Sequence, residues 1–156
     1  MKKEIKEEST TDLRSILNST SLSNVDTYLE EHAHISTAYA IFSQHLKSYP
    51  ISVSTIAENC RGYIARSYVY DIINGVKVHP SRDIVIMLCL AAHMRSKQVR
   101  QLLAVYNYRE LHPKDDRDVI LAACFNSSEY NITTVNQLLY AKKLPLLSGR
   151  EDSEEE

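Results

Sequence analysis

The segment that spans residues 51–83 constrains the fold more than any other part of the chain. It reads ISVSTIAENCRGYIARSYVYDIINGVKVHPSRD, with one short helical pattern over 52–60 and a second over 65–73. A turn that contains Arg61, Gly62 and Tyr63 separates the two patterns. Two short helices that abut in this way form a helix-turn-helix, a unit that can place its second helix in the major groove of DNA. The segment therefore predicts a helix-turn-helix.

The remaining sequence also favours helices. The 156 residues include only three glycines and four prolines, and no long run alternates apolar and polar residues as strands do. Ser52 and Pro80-Ser81 are expected to begin helices, and Tyr49-Pro50 to end one. We expect an all-α fold, an orthogonal bundle of about five helices with helical additions on both sides. Besides the two helices of the motif, apolar spacing predicts helices over 13–17, 26–47, 84–92, 97–106, 116–125 and 133–140.

The composition of the chain changes from region to region. The segment 144–147, Leu-Pro-Leu-Leu, is expected to pack back onto the last two helices. We expect five regions: a disordered N-terminus over 1–9, N-terminal helices over 10–48, the helix-turn-helix core over 49–110, a C-terminal helical extension over 111–147 and an acidic tail over 148–156.

Charge is distributed unevenly along the chain. The formal net charge is −2, but residues 47–110 contain nine Lys and Arg against four Asp and Glu, whereas residues 151–156 contain five acids. A basic region around the predicted motif is the electrostatic footprint that DNA phosphates require. An acidic tail is usually a solvated segment. Its charge, opposite to that of the core, also suggests that it competes with DNA for the basic face.

The sequence predicts neither a membrane protein nor a secreted protein. No apolar run approaches the roughly 18 residues that a membrane span needs, and the N-terminus MKKEIKEESTTDL lacks the apolar core of a secretory signal. We therefore expect a cytoplasmic protein with no membrane partner. Cys60, Cys89 and Cys124 are odd in number and lack the spacing of metal ligands, so they are expected to be reduced thiols.

No catalytic or metal-binding motif is recognisable. The chain has no GxSxG, phosphate-binding loop or GxGxxG pattern. Glu30, Glu31, His32 and His34 crowd together, but no third ligand follows at a recognisable spacing, so a solvated polar face is expected there. We expect no enzymatic activity, no cofactor and no metal.

The second helix of the predicted motif carries the residues best suited to reading DNA. Val69, Ile72 and Ile73 form an apolar stripe, which leaves a polar and basic face opposite. Arg66, on this polar face, can bond guanine through two hydrogen bonds, which are worth about 1–3 kcal/mol in discrimination between bases. Phosphate contacts from the flanking loops would fix the register. The candidate DNA-binding residues are Arg61, Arg66, Ser67, Tyr68, Tyr70, Lys77 and Arg82.

Three of these candidates also have a structural interpretation. Tyr68 and Tyr70 equally suit half-buried core positions, and Arg82 with Asp83 can simply begin a helix, where an acid is favourable near the positive dipole end. Arg66 is the residue that packing explains least, because it lies opposite the apolar stripe.

Several separated blocks resemble a known family of regulators. The chain is similar to the Cro/CI (XRE) family of bacterial and phage helix-turn-helix regulators in the order of Ile56-Ala57, Arg66-Ser67-Tyr68, Ile72 with Asn74-Gly75, and Pro80-Ser81-Arg82-Asp83. Further blocks resemble a Gram-positive subgroup with additional C-terminal helices, and they are His112-Pro113, Arg117-Asp118-Val119-Ile120, Asn136-Gln137-Leu138-Leu139 and Leu144-Pro145-Leu146-Leu147.

The resemblance implies a λ-repressor-like fold and sequence-specific binding to a double-stranded DNA operator, commonly as a homodimer. It assigns DNA contacts to Arg66, Ser67 and Tyr68, with Tyr70 and Lys77 supporting. The chain departs from the family at Val53, where Gln is frequent, and in the turn over 61–65, which is about two residues longer. Regions 26–47 and 116–140 are candidate dimer surfaces. A second interpretation is a protein-interaction module that keeps this fold without reading DNA.

Overall fold

A computed structural model of the chain describes residues 10–28 and 37–149, and every regular element in these two ranges is an α-helix. The all-α prediction is therefore confirmed. The predictions for 1–9, for Glu30 to His34 and for the acids of 151–156 fall outside the described residues. The helices are α1 Thr10–Asn18, α2 Val25–Tyr28, α3 Ala38–Ser48, α4 Val53–Asn59, α5 Arg66–Ile73, α6 Arg82–Ala91, α7 Ser96–Val105, α8 Asp116–Asn126 and α9 Ile132–Ala141.

Side-chain caps fix where several helices begin. The Ser52 hydroxyl accepts the Thr55 N–H at 3.1 Å, and the Ser81 hydroxyl accepts the Ile84 N–H at 3.2 Å. Such a cap contributes about 1 kcal/mol, because it satisfies an N–H that has no partner within the helix. The predicted starts of α4 and α6 are thus confirmed. Ala65, before α5, makes no side-chain cap hydrogen bond.

The single helix predicted over 26–47 is wrong. Thr37 has an extended backbone (φ −79°, ψ 153°), so α3 begins only at Ala38. The reason is a local cap: the Thr37 hydroxyl accepts the Ala40 N–H at 3.3 Å, which competes with helix continuation. The predicted end is confirmed, because Tyr49 is extended (φ −123°, ψ 134°) before Pro50.

Helix α6 forms the centre of the molecule. Every residue from 84 to 92 is buried, and the helix packs against α4, α7 and α9. Helix α3 packs on α5 and α7, and α8 packs on α7 and α9. One continuous hydrophobic core therefore joins the helices from α3 to α9. In the two described ranges, no helix has both the length and the apolar character that a bilayer crossing demands.

Candidate nucleic-acid interface

Helices α4 and α5 pack against each other where the sequence predicted two abutting helices. Ile56 and Ala57 of α4 are buried, as are Val69, Ile72 and Ile73 of α5. The apolar stripe of α5 thus faces the core as predicted. Gly75 follows the helix with φ +84°, a left-handed conformation that glycine adopts at little cost, and this turns the chain away after α5.

The connection between α4 and α5 runs over residues 60–65, and it is stabilised both by its own hydrogen bonds and by a contact with α9. Its own backbone hydrogen bonds join Tyr63 N–H and Ile64 N–H to the Cys60 carbonyl at 2.9 and 3.0 Å. In addition, the Tyr63 hydroxyl lies 2.7 Å from the Thr133 hydroxyl on α9. Sequence reasoning identified the long turn but not this anchor, because its partner lies 70 residues away.

Arg66 lies at the exposed start of α5 and is held across both helices. Its Nη2 donates to the Ser54 hydroxyl of α4 at 3.1 Å and to the Tyr70 hydroxyl at 3.2 Å. The guanidinium carbon lies 5.3 Å from the centroid of the Tyr70 ring, a cation–π distance. Among the residues that the structure describes, no carboxylate pairs with Arg66. Its positive charge is therefore available to an anion.

The other candidates on this face differ in exposure. Ser67 and Lys77 are exposed, and Arg61 is exposed with a 3.4 Å contact to Glu58 one turn earlier. Such a surface pair contributes little, since both side chains are well solvated. Tyr68 and Tyr70 are partly buried and pack against the core. The two tyrosines thus occupy the half-buried positions that the sequence allowed, and Tyr70 in addition contacts Arg66.

Arg82, predicted to contact phosphate, is engaged inside the protein instead. Its Nη1 and Nη2 each lie 3.0 Å from one carboxylate oxygen of Asp118, a side chain only 1% exposed. The guanidinium also donates to the carbonyls of Arg109 and Glu110. A phosphate contact does not fit this geometry, because Arg82 would have to leave a buried carboxylate unpaired.

Sequence reasoning missed a reciprocal second pair. Arg117 of α8 donates from Nη1 and Nη2 to the two oxygens of Asp83 on α6, both at 2.9 Å. These hydrogen bonds raise the pKa of Arg117 further above its ordinary value, so that it stays charged. The available signal was the dipeptide Arg-Asp at the start of two helices, 82–83 and 117–118. The arginine of each dipeptide pairs with the aspartate of the other, and the two ion pairs join the start of α8 to the start of α6.

Ion pairs within the protein reduce the basic charge that is available to DNA. Arg82 and Arg109 belong to the basic stretch over 47–110, but they pair with Asp118 and Asp115, which lie beyond it. Within residues 53–79, which include α4 and α5, the exposed cations are Arg61, Arg66 and Lys77. The candidate interface is therefore a small basic face, not the whole stretch.

The described residues offer no metal site. No group of three His, Cys, Asp or Glu side chains comes together within 10–28 and 37–149. Cys60, Cys89 and Cys124 are free and buried, and burial raises the pKa of the Cys60 thiol to about 12.

In comparisons with known proteins, no family model, curated protein or solved structure matches the chain.

Proposed function

We propose that the protein is a sequence-specific DNA-binding transcriptional regulator in which α4 and α5 act as a helix-turn-helix. The observation that carries the proposal is the two-sided character of α5. Val69, Ile72 and Ile73 fix one side in the core, while Arg66 and Ser67 are exposed at the start of the other. The N-terminal part of the second helix is the part that reaches base edges in this motif.

The packing of the neighbouring helices supports a λ-repressor-like arrangement. Helices α3 to α7 are five in number, with the paired α4 and α5 packed between α3 and the central α6. This agrees with the resemblance to Cro/CI regulators, in which α8 and α9 would be the added C-terminal helices.

In the proposed complex Arg66 reads a guanine, and Arg61 and Lys77 contact phosphates on either side of α5. The Tyr70 ring and the Ser54 hydroxyl limit the rotamers of Arg66 before binding, which reduces the entropy lost on contact. Ser67 bonds a base or a phosphate nearby. Affinity should fall steeply with salt concentration. Replacing one Lys or Arg that contacts a phosphate should lower the slope of log K against log salt by about one.

A homodimer on a near-palindromic operator completes the proposal. Of the two predicted dimer regions, α8 and α9 retain exposed apolar side chains: Val119, Leu138 and Tyr140 are 46%, 45% and 76% exposed. In the described part of region 26–47, Phe42 is buried in the core, and Tyr39, 55% exposed, is the only large apolar side chain that is exposed. We therefore assign the dimer contact to α8 and α9.

The test is selection of binding sites from a random duplex library by the full chain. Arg66→Ala should lose discrimination at one base pair by about 5- to 150-fold, the equivalent of 1–3 kcal/mol. Arg100→Ala is the matched control. Arg100 is also an exposed arginine, but it lies on α7, outside the two helices of the proposed motif, and α7 packs against α3, α6 and α8. Failure of the wild type to select any sequence would contradict the proposal.

One observation favours the second candidate, a protein-interaction module. An open concavity of about 360 Å³ is lined by Tyr63, Thr133, Asn136, Gln137, Tyr140 and Leu146. Tyr140 is exposed at this site, and tyrosine is common at protein interfaces. Loss of self-association in Tyr140→Ser is expected of both candidates, so failure of the wild type to select any DNA sequence is the outcome that favours the interaction module.

A further inference from the structure

The chain after α9 returns along a defined path, which we call the C-terminal strap (residues 144–149). Arg117 donates to the carbonyls of Pro145 and Leu146, both at 2.9 Å. Asn136 exchanges two hydrogen bonds with the backbone of Leu147, which is 3% exposed. The Ser148 N–H donates to Asp83 at 3.1 Å. The predicted packing of 144–147 is confirmed, and the path of the strap is tightly fixed.

The strap ends against the turn between α4 and α5. A Cβ atom built on Gly149 would overlap the carbonyl oxygen of Tyr63, so only glycine allows this close approach. Tyr63 is two residues after Arg61 and three before Arg66. Because consecutive Cα atoms are 3.8 Å apart, both arginines begin within about 11 Å of the point that Gly149 contacts. The chain therefore leaves the strap beside the candidate nucleic-acid interface.

Residues 150–156 follow directly and read REDSEEE, with five acids in the last six positions. Seven residues span at most about 25 Å when extended, which exceeds the distance from Gly149 to either arginine. Among the described residues, Arg61 has only the exposed Glu58 as an ionic partner, and Arg66 has only the neutral Ser54 and Tyr70. Two accessible guanidinium groups thus lie within reach of a tethered acidic segment.

We propose that residues 151–156 bind the Arg61 and Arg66 face and compete there with DNA. The identity of the competing ligand rests on the proposed function, whereas the intramolecular contact does not. Each exposed ion pair is weak, but a short tether gives an effective concentration in the millimolar range. The acidic segment opposes weak, nonspecific DNA binding most, because a well-matched operator supplies base contacts that the segment cannot replace.

The experiment compares the full chain with a variant of equal length in which the five acids are neutral (Glu151→Gln, Asp152→Asn, Glu154→Gln, Glu155→Gln and Glu156→Gln). Affinity for a 20-base-pair duplex of arbitrary sequence is measured at about 50 and 300 mM salt. The neutral variant should bind about 3- to 10-fold more tightly at low salt, and this difference should shrink at high salt. A control with the same change in net charge neutralises Glu4, Glu7, Glu8, Glu110 and Asp116.

A second measurement does not use DNA. The side-chain Nε–H signals of Arg61 and Arg66 are compared between the wild type and the neutral variant by NMR. We expect both to shift, and the shift to vanish at high salt. Shifts without DNA binding by any variant would defeat the proposed function but support the contact. Equal affinities and unchanged signals would overturn the inference, as would an equal gain in affinity by the control variant.

Discussion

His93 joins three parts of the helical bundle through its ring. It follows α6 with φ +57°, and its ring stacks on Tyr130 at a centroid distance of 4.6 Å. The Tyr49 hydroxyl lies 3.3 Å from its Nδ1. Tyr49 in turn stacks on the buried His45, whose Nε2 donates to the Ala92 carbonyl at 2.6 Å. A change of charge on His93 is therefore felt at the ends of α3 and α6 and in the α8–α9 loop.

Burial lowers the pKa of His93, and the neighbouring His45 lowers it further. The folded state thus binds the proton less readily than the unfolded chain does. Stability linked to His93 is fully present above the unfolded pKa of about 6.5. It is lost as the pH falls from there through the folded value, because protons then favour the unfolded state.

The variant His93→Asn tests this dependence, since asparagine also accepts a positive φ. We expect the wild type to lose free energy of unfolding between pH 7.5 and pH 5, and the variant to lose less over the same range. Urea denaturation at both pH values gives the comparison. The difference between the two proteins reports on His93, and the same pH dependence in both would refute the assignment.

At the scale of elements, the two crossed Arg-Asp pairs fix the orientation of the start of α8 relative to the start of α6. Asp118 is almost fully buried, bonds both terminal nitrogens of Arg82 and accepts the His112 N–H at 3.0 Å. Asp83 and Arg117 repeat the contact in the opposite sense. Two bidentate pairs fix direction as well as distance, because each guanidinium must lie in the plane of its carboxylate.

Replacing Asp118 with alanine should destabilise the protein strongly. Arg82, whose side chain is 18% exposed, would keep its charge without a carboxylate partner. The expected cost is about 3–5 kcal/mol in the free energy of unfolding. Asp116→Ala is the matched control, because Asp116 is exposed in the same first turn of α8, where only about 0.3–1 kcal/mol of dipole interaction is lost. Equal effects in urea denaturation would show that the buried pair contributes nothing special.

Local sequence signals predicted the helices from α4 to α9 well, because caps and apolar periodicity act within a few residues. Ser52 and Ser81 begin their helices as predicted. The same local logic failed over 26–47, where apolar spacing concealed the cap at Thr37. It could not assign Arg82 either, because the partner Asp118 lies 36 residues away. Pairings of this kind depend on how helices meet, and periodicity does not determine that.

Helices α3 to α9 are built around one core, although the sequence suggested a helix-turn-helix region over 49–110 with additions. Leu121, Phe125, Val135 and Leu139 of α8 and α9 are at most 4% exposed within that core. Of the described side chains of residues 14–26, which cover parts of α1 and α2 and the segment between them, none belongs to it. The C-terminal helices therefore share one core with the candidate interface, and we expect the two to fold as one unit.

Two fragments test this integration. Burying the four side chains from α8 and α9 contributes about 1.5–3 kcal/mol each, a sum comparable with the roughly 5–15 kcal/mol that stabilises a typical domain. A fragment of residues 37–110 would expose the faces of α6 and α7 that these side chains cover, so it should show no cooperative thermal transition by circular dichroism. The fragment of residues 37–156 is the control and should unfold in one transition, with circular dichroism and tyrosine fluorescence coinciding. Cooperative unfolding of the shorter fragment would mean that residues 49–110 form an autonomous domain with α3, and that α8 and α9 merely dock onto it.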